Sequence, residues 1–208
     1  MGNAVSAADF FPERRTLAAA RRAAASCRGC ALWKHATQTV FGAGLARAPL
    51  MLIGEQPGDQ EDRSGKPFVG PAGRLLDKAL DEAGIDRTAT YVTNVVKHFK
   101  WEPRGKRRIH RKPDSREIGA CLPWLELEVA LVKPAALVCL GATAARALFG
   151  PSFRVTLDRG KWRNTALAPR VMATVHPSAL LRILDSAERD REFGRLVADL
   201  AHAASALR

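Results

Sequence analysis

No apolar stretch in this chain approaches the ~20 consecutive residues that a helix needs to cross a bilayer, so no segment is a candidate membrane span. Residues 1–15 contain acidic side chains and no apolar h-region, so no secretory signal is expected and the cytoplasm is the expected compartment. Neither a Ser/Gly-rich linker nor an internal repeat divides the sequence. One domain over residues 1–208 is therefore expected, opening with a helix and a Cys-x-x-Cys segment. Acidic side chains are in deficit: 21 Asp and Glu stand against 33 Lys and Arg, a formal charge of +12. Such a balance favours a polyanionic partner through phosphate neutralisation and counterion release. Alone it also fits an ordinary basic soluble protein.

What is present is an alternation of strand and helix patterns. Apolar runs at residues 50–53, 91–96, 136–140 and 171–175 read as strands, and their near-continuous hydrophobicity points to burial on both faces. Helical periodicity occupies residues 71–83, 114–132, 142–149 and 187–207, and an Ala/Arg-rich helix is expected over 13–26 with a solvated or DNA-flanking face. In the first of these, Pro71 takes the favoured first-turn place and Gly84 the stop. The expected fold is α/β, a three-layer α/β/α sandwich with a central, mainly parallel four-stranded sheet. Sheets of this kind bind ligands beyond the carboxyl ends of their strands. Residues 98–113 read as a long irregular loop, and such loops are usually functional or disordered.

All four cysteines fit one pattern. Cys27 and Cys30 form C-x-x-C, and Cys121 and Cys139 follow with 17 residues between them. Four thiols with none to spare suggest one tetrahedral ligand set, for a structural zinc or a [4Fe–4S] cluster. A disulfide is the less favoured use in a cytoplasmic chain. Cys121 and Cys139 also lie on apolar elements, where cysteine serves as a small buried hydrophobe.

Three segments sit where predicted strands end or between them. Gly54-Glu55-Gln56-Pro57-Gly58-Asp59-Gln60-Glu61-Asp62 follows the first strand, His176-Pro177-Ser178 follows the last, and Lys106-Arg107-Arg108-Ile109-His110 lies in the basic loop. Phe68, in Gly65-Lys66-Pro67-Phe68-Val69-Gly70, has an ordinary use as a core aromatic. Asn94 places an amide donor and acceptor inside an apolar strand, where both need partners. His176 precedes proline and is biased to extended backbone, and Ser178 is a good N-cap for a helix over 179–184.

The motif Gly54-Glu55-Gln56-Pro57-Gly58 is similar to the first motif of uracil-DNA glycosylase family 4, and His176-Pro177-Ser178 to the second. The resemblance runs from Cys27 to Arg182. Two departures, Gln56 and the inserted loop with His110, resemble the UdgX group, whose members remain covalently bound to the abasic site they create. This resemblance implies a uracil-DNA glycosylase with a structural [4Fe–4S] cluster on the four cysteines, zinc being the alternative. It implies that Phe68 stacks on uracil, that Asn94 reads its O4 and N3–H edge, and that His176 donates to O2 as charge builds there. Gln56 would shape the pocket, its backbone N–H near the base. Glu55 would accept the proton of His110 and stabilise the cationic sugar, while His110 captures C1′ ahead of water by proximity. Asp59 would orient a water or fix the loop, and Asp62 hold the loop or cap a turn. Lys106, Arg107, Arg108, Ser178 and Arg182 would contact DNA. The implied partner is uracil-containing DNA, with a preference for single-stranded DNA left open, and a monomer is the default. Two other readings are a turnover glycosylase using water, and a non-catalytic, metal-stabilised nucleic-acid-binding protein. The second leaves Glu55, Asn94 and His176 unexplained.

Overall fold

The structure of the chain, a computed structural model, describes residues 5–207. Residues 1–4, which open the segment read as lacking a signal, and Arg208 lie outside the described residues. In chain order the elements are α1 (Leu17–Ala24), β1 (Ala43–Gly44), β2 (Leu50–Gly54), α2 (Asp59–Ser64), α3 (Pro71–Glu82), β3 (Thr90–Asn94), β4 (Trp101–Arg104), β5 (Arg107–His110), α4 (Ser115–Val132), β6 (Ala136–Leu140), α5 (Ala142–Phe149), α6 (Val155–Asp158), β7 (Val171–Thr174), α7 (Pro177–Leu180) and α8 (Ser186–Ser205).

The four apolar runs form four parallel strands. The sheet order is β1-β3-β2-β6-β7, with β3, β2, β6 and β7 parallel. A fifth strand, the two-residue β1, adds antiparallel to β3, and it is too short to leave a periodic signal in the sequence. Period-2 alternation sorts the strand residues into two layers. Leu50, Leu52, Val138 and Leu140 pack with Leu76, Leu80, Leu196 and Leu200. Met51, Ile53, Leu137 and Val171 pack with Trp124, Leu125 and Ala144 on the other face. Each such side chain removed from water stabilises the fold by roughly 1.5–3 kcal/mol, and the doubled face makes a three-layer α/β/α sandwich.

Local chemistry sets the helix ends. α3 opens with Pro71 at its first turn. At the start of α4 the Asp114 side chain accepts the Arg116 and Glu117 N–H groups, and Glu117 returns the bond to the Asp114 N–H. α1 is shorter than the expected 13–26, because Thr16 caps it by accepting the Ala19 N–H. No helix among the described residues is long and apolar enough to cross a membrane.

The 98–113 segment is not irregular. It forms the β4–β5 hairpin, with Trp101 opposite His110 and Arg104 opposite Arg107. Gly105, at φ +58°, takes the first central position of the two-residue turn, where a II′-type hairpin favours glycine. Its strands are largely exposed on both faces, so no apolar alternation announced them.

Candidate active site

The chain runs from β2 out to β3 on one side, then returns to place β6 and β7 on the other. The crevice beyond the ends of β2 and β6 is therefore the switch point where open parallel sheets bind ligands. A cavity of about 630 Å³ lies there. Glu55, Gln56, Phe68, Asn94, His110 and His176 all line it, as do Ser178 and Arg182. Segments separated by more than 100 residues in sequence are thus brought to one wall. Asp59, Lys106, Arg107 and Arg108 are not among its lining residues.

Glu55 and His110 face each other, His110 Nε2 lying 3.3 Å from Glu55 Oε1. The other carboxylate oxygen, Oε2, accepts a hydrogen bond from the Thr143 hydroxyl. Burial opposes ionisation of Glu55, yet the hydrogen bonds from His110 and Thr143 hold its carboxyl below the ordinary range.

His176 terminates the β7 segment. Its Nδ1 accepts the Ser178 N–H at 3.1 Å and lies 2.8 Å from Ser178 Oγ. The N-cap of α7 is therefore His176 and not Ser178. With Nδ1 as acceptor, the neutral ring carries its proton on Nε2. Burial pushes this imidazole down to about 4, against the pull of Glu55. Gly141 makes room for it: a Cβ there would stand 2.9 Å from His176 Cβ.

Asn94 is 2 % exposed at the end of β3. Beneath it lies a buried ion pair between Lys97 and Glu128. Lys97 Nζ also donates to the Asn94 carbonyl at 2.6 Å, and Glu128 accepts from Tyr91, Thr93 and the Gly42 N–H. Among the described residues the Asn94 side-chain amide has no hydrogen-bond partner of its own. Gly54 permits this packing, since a Cβ would fall 2.7 Å from Phe68 Cζ and closer still to Asn94 Oδ1.

Phe68 adopts φ +56°, a conformation a bulky residue rarely takes and one that surroundings must enforce. Glu61 supplies the enforcement: its carboxylate accepts the Val69 and Gly70 N–H groups at 3.0 and 2.7 Å and the Gly58 N–H at 3.0 Å. One side chain thus ties the Phe68 loop to the first motif. The Phe68 and His176 rings lie 6.0 Å apart at 30°.

Two placements differ from those the sequence suggested. Gln56 reaches the cavity, but its side-chain amide fastens the hairpin: Nε2 donates to the carbonyls of Lys100 and Arg111, and Oε1 accepts the Lys100 N–H. Arg108 turns inward rather than toward solvent. It donates to Asp59 Oδ1 at 2.5 Å, Asp62 Oδ2 at 2.6 Å and Thr37 Oγ1 at 3.0 Å, and stacks over Phe99 and Trp101. Asp59, by the same bonds, sits where it fixes the loop, one of its two expected uses, and fully buried Asp62 also accepts the Thr37 N–H.

The cysteines do not form the expected set of four. Cys27, Cys30 and Cys121 bear on one another electrostatically; burial first and these neighbours after it raise the Cys121 thiol to about 12, against Lys97. Burial alone raises Cys139, with no other thiol contributing. It sits within β6, opposite Ile53 and Ala173 of the adjoining strands, as a small core hydrophobe. Among the described residues no group of three or more His, Cys, Asp or Glu side chains is arranged to hold a metal ion. A four-cysteine centre thus does not fit these residues.

Thr143, Glu61, Lys97 and Glu128 escaped the sequence reading, as did Lys112, which lines the cavity. Each looks like an ordinary surface or helix residue until the fold places it.

Comparison with known proteins accords with this geometry. Residues 41–201 match the Uracil DNA glycosylase superfamily. A type-4 uracil-DNA glycosylase from Sulfurisphaera tokodaii is 37% identical over 164 residues, covering 75% of this chain and 71% of its own. One from Thermotoga maritima is 36% identical over 172 residues, 82% of this chain and 83% of its own. A type-5 enzyme from Pyrobaculum aerophilum is 29% identical over 165 residues, 71% and 69% of the two chains. This chain belongs to the uracil-DNA glycosylase superfamily.

Proposed function

We propose that this protein excises uracil from DNA and is then captured by its own product through His110. The observation that carries the reading is the facing pair, His110 Nε2 3.3 Å from Glu55 Oε1, at the cavity that Phe68, Asn94 and His176 also line. In this reading the flipped base stacks on Phe68 and pairs through O4 and N3–H with the Asn94 amide. His176 Nε2–H donates to uracil O2 as negative charge develops. The N1–C1′ bond breaks with its electron pair leaving on uracil, and Glu55 stabilises the oxocarbenium sugar. A lone pair of the His110 imidazole then forms the new N–C1′ bond, and the ring's N–H proton passes to Glu55. Held at the sugar, the imidazole outcompetes water through its effective concentration.

Lys106, Arg107, Ser178, Arg182 and Lys112 would take DNA phosphates, whereas Arg108 would position the hairpin. The protein acts as a cytoplasmic monomer on uracil-containing DNA in this reading. The family resemblance implies a structural [4Fe–4S] cluster, with zinc the alternative. Of the four cysteines, Cys27, Cys30 and Cys121 bear on one another and are the ones it would draw on, and no step of the reaction passes through it.

The test is incubation with a uracil-containing single-stranded oligonucleotide followed by a heat-denaturing SDS gel, wild type beside His110→Ala. A retarded band in wild type alone, and with uracil alone, is the expected result. Released uracil without such a band would make the protein a turnover glycosylase. Binding without uracil release would leave a nucleic-acid-binding module.

A further inference from the structure

We propose that Thr143 is a positioning residue: its hydroxyl fixes one oxygen of the Glu55 carboxylate so that the other is aimed at His110. The inference rests on the reading of His110 as the group that captures the sugar. A glutamate side chain turns about three bonds, and its carboxylate presents two equivalent oxygens. Free in a cavity, it would sample many directions and face the imidazole only part of the time. Here Oε2 accepts the Thr143 hydroxyl while Oε1 lies 3.3 Å from His110 Nε2. The two oxygens thus have different partners from different elements.

The fold supplies this arrangement. β2 and β6 are adjacent parallel strands, so the residue leaving β2 and the first turn of α5, which follows β6, meet across the crevice. Thr143 is the second residue of α5 and 7 % exposed, so its hydroxyl has little access to water and Glu55 is the acceptor it reaches. The first-turn position also aligns the carboxylate with the partial positive charge of the helix N-terminus.

The titratable and charged groups around Glu55 come from several elements, and Glu61 of α2 lines the cavity with them. His110 faces it from β5, His176 from the exit of β7, and Arg182 and Lys112 line the same cavity. Thr143 is the uncharged donor among them, so its hydrogen bond to Glu55 carries no charge of its own. The depressed titration of Glu55, to which the Thr143 hydrogen bond contributes after burial and His110, agrees with this role.

The experiment compares wild type, Thr143→Val and Thr143→Ser on a uracil-containing single-stranded oligonucleotide. Released uracil and SDS-stable adduct are quantified in the same samples from mildly acidic to neutral pH, with circular dichroism to report the folded fraction. In Thr143→Val, adduct per uracil released falls about tenfold, and the acid limb of adduct formation moves up by about one pH unit. Thr143→Ser restores both. A merely structural role would lower the melting temperature of Thr143→Val and leave ratio and acid limb unchanged, which would overturn the proposal. Serine behaving like valine would overturn it as well. Wild type that releases uracil without adduct would refute the capture reading instead. Thr143 would then be judged on the acid limb of uracil release: shifted in valine and restored in serine supports it, unshifted overturns it. No uracil release by wild type would overturn both.

Discussion

The side-chain amide of Gln56 donates to the backbone carbonyl of Arg111 at 2.9 Å, next to the residue whose ring faces Glu55. Two consecutive residues of the first motif therefore hold the same end of the hairpin, Gln56 through the flanking backbone and Glu55 through the His110 ring. Gln56→Ala leaves the hairpin base without three hydrogen bonds. Adduct yield is expected to fall about tenfold, with a smaller loss of uracil release, read from the same gel and a free-base assay. Equal losses would show that Gln56 serves excision rather than hairpin placement.

Arg108 joins the other end of that hairpin to α2. Its removal strands the Asp62 carboxylate, which is fully buried. Arg108→Ala is expected to destabilise the fold by about 2–4 kcal/mol, measured by urea or thermal unfolding, and to reduce adduct formation. A phosphate-binding role would instead leave stability unchanged and weaken the salt dependence of DNA binding.

Acid sensitivity follows from two histidines. Burial holds His98 and His176 down at about 4, against an ordinary value of 6.5; Asp62 opposes the effect at His98 and Glu55 at His176. Between these values the unfolded chain binds protons that the folded chain refuses, so stability falls as pH drops from 6.5 towards 4. His98, 5 % exposed, contributes on the order of 3 kcal/mol to this loss. The depressed Glu55 adds a further loss at lower pH: its contribution is present above the ordinary carboxylate value and disappears as pH falls through the folded one. Melting temperature across the acid range checks the slope, and His98→Asn should flatten it.

The cysteines give a separable outcome. Cys121→Ser is expected to abolish bound iron, whereas Cys139→Ser keeps it and lowers stability modestly. Iron content and visible absorbance of the purified variants decide this. Iron lost equally from both would return Cys139 to the ligand set.

Asn94→Ala is expected to reduce uracil excision by about a hundredfold under single-turnover conditions, because both edge contacts to the base are lost. Unchanged rates would place uracil recognition elsewhere.

The sequence carried the four parallel strands because each is a continuous apolar run such as Leu50–Gly54, buried on both faces. It also carried the strand-end positions of Glu55, Asn94 and His176, which the parallel topology gathers into one crevice. It did not carry the hairpin, whose polar strands lack a core-facing pattern. Charge alone could not reveal Arg108: an arginine beside two basic neighbours reads as a phosphate ligand until Asp59 and Asp62 are found opposite it. Thr143 lies 88 positions from Glu55 and resembles any first-turn threonine. Cys139 satisfied a count of four, but spacing says nothing about which other thiols a strand cysteine comes near.

The cavity draws Glu55, Asn94, His110, Thr143 and His176 from five separate stretches of the chain. An unfinished polypeptide lacks its last contributor until β7 has emerged. A growing chain that has not yet reached His176 therefore carries an open-ended crevice, and the site exists as a whole only once synthesis and sheet closure have both run their course.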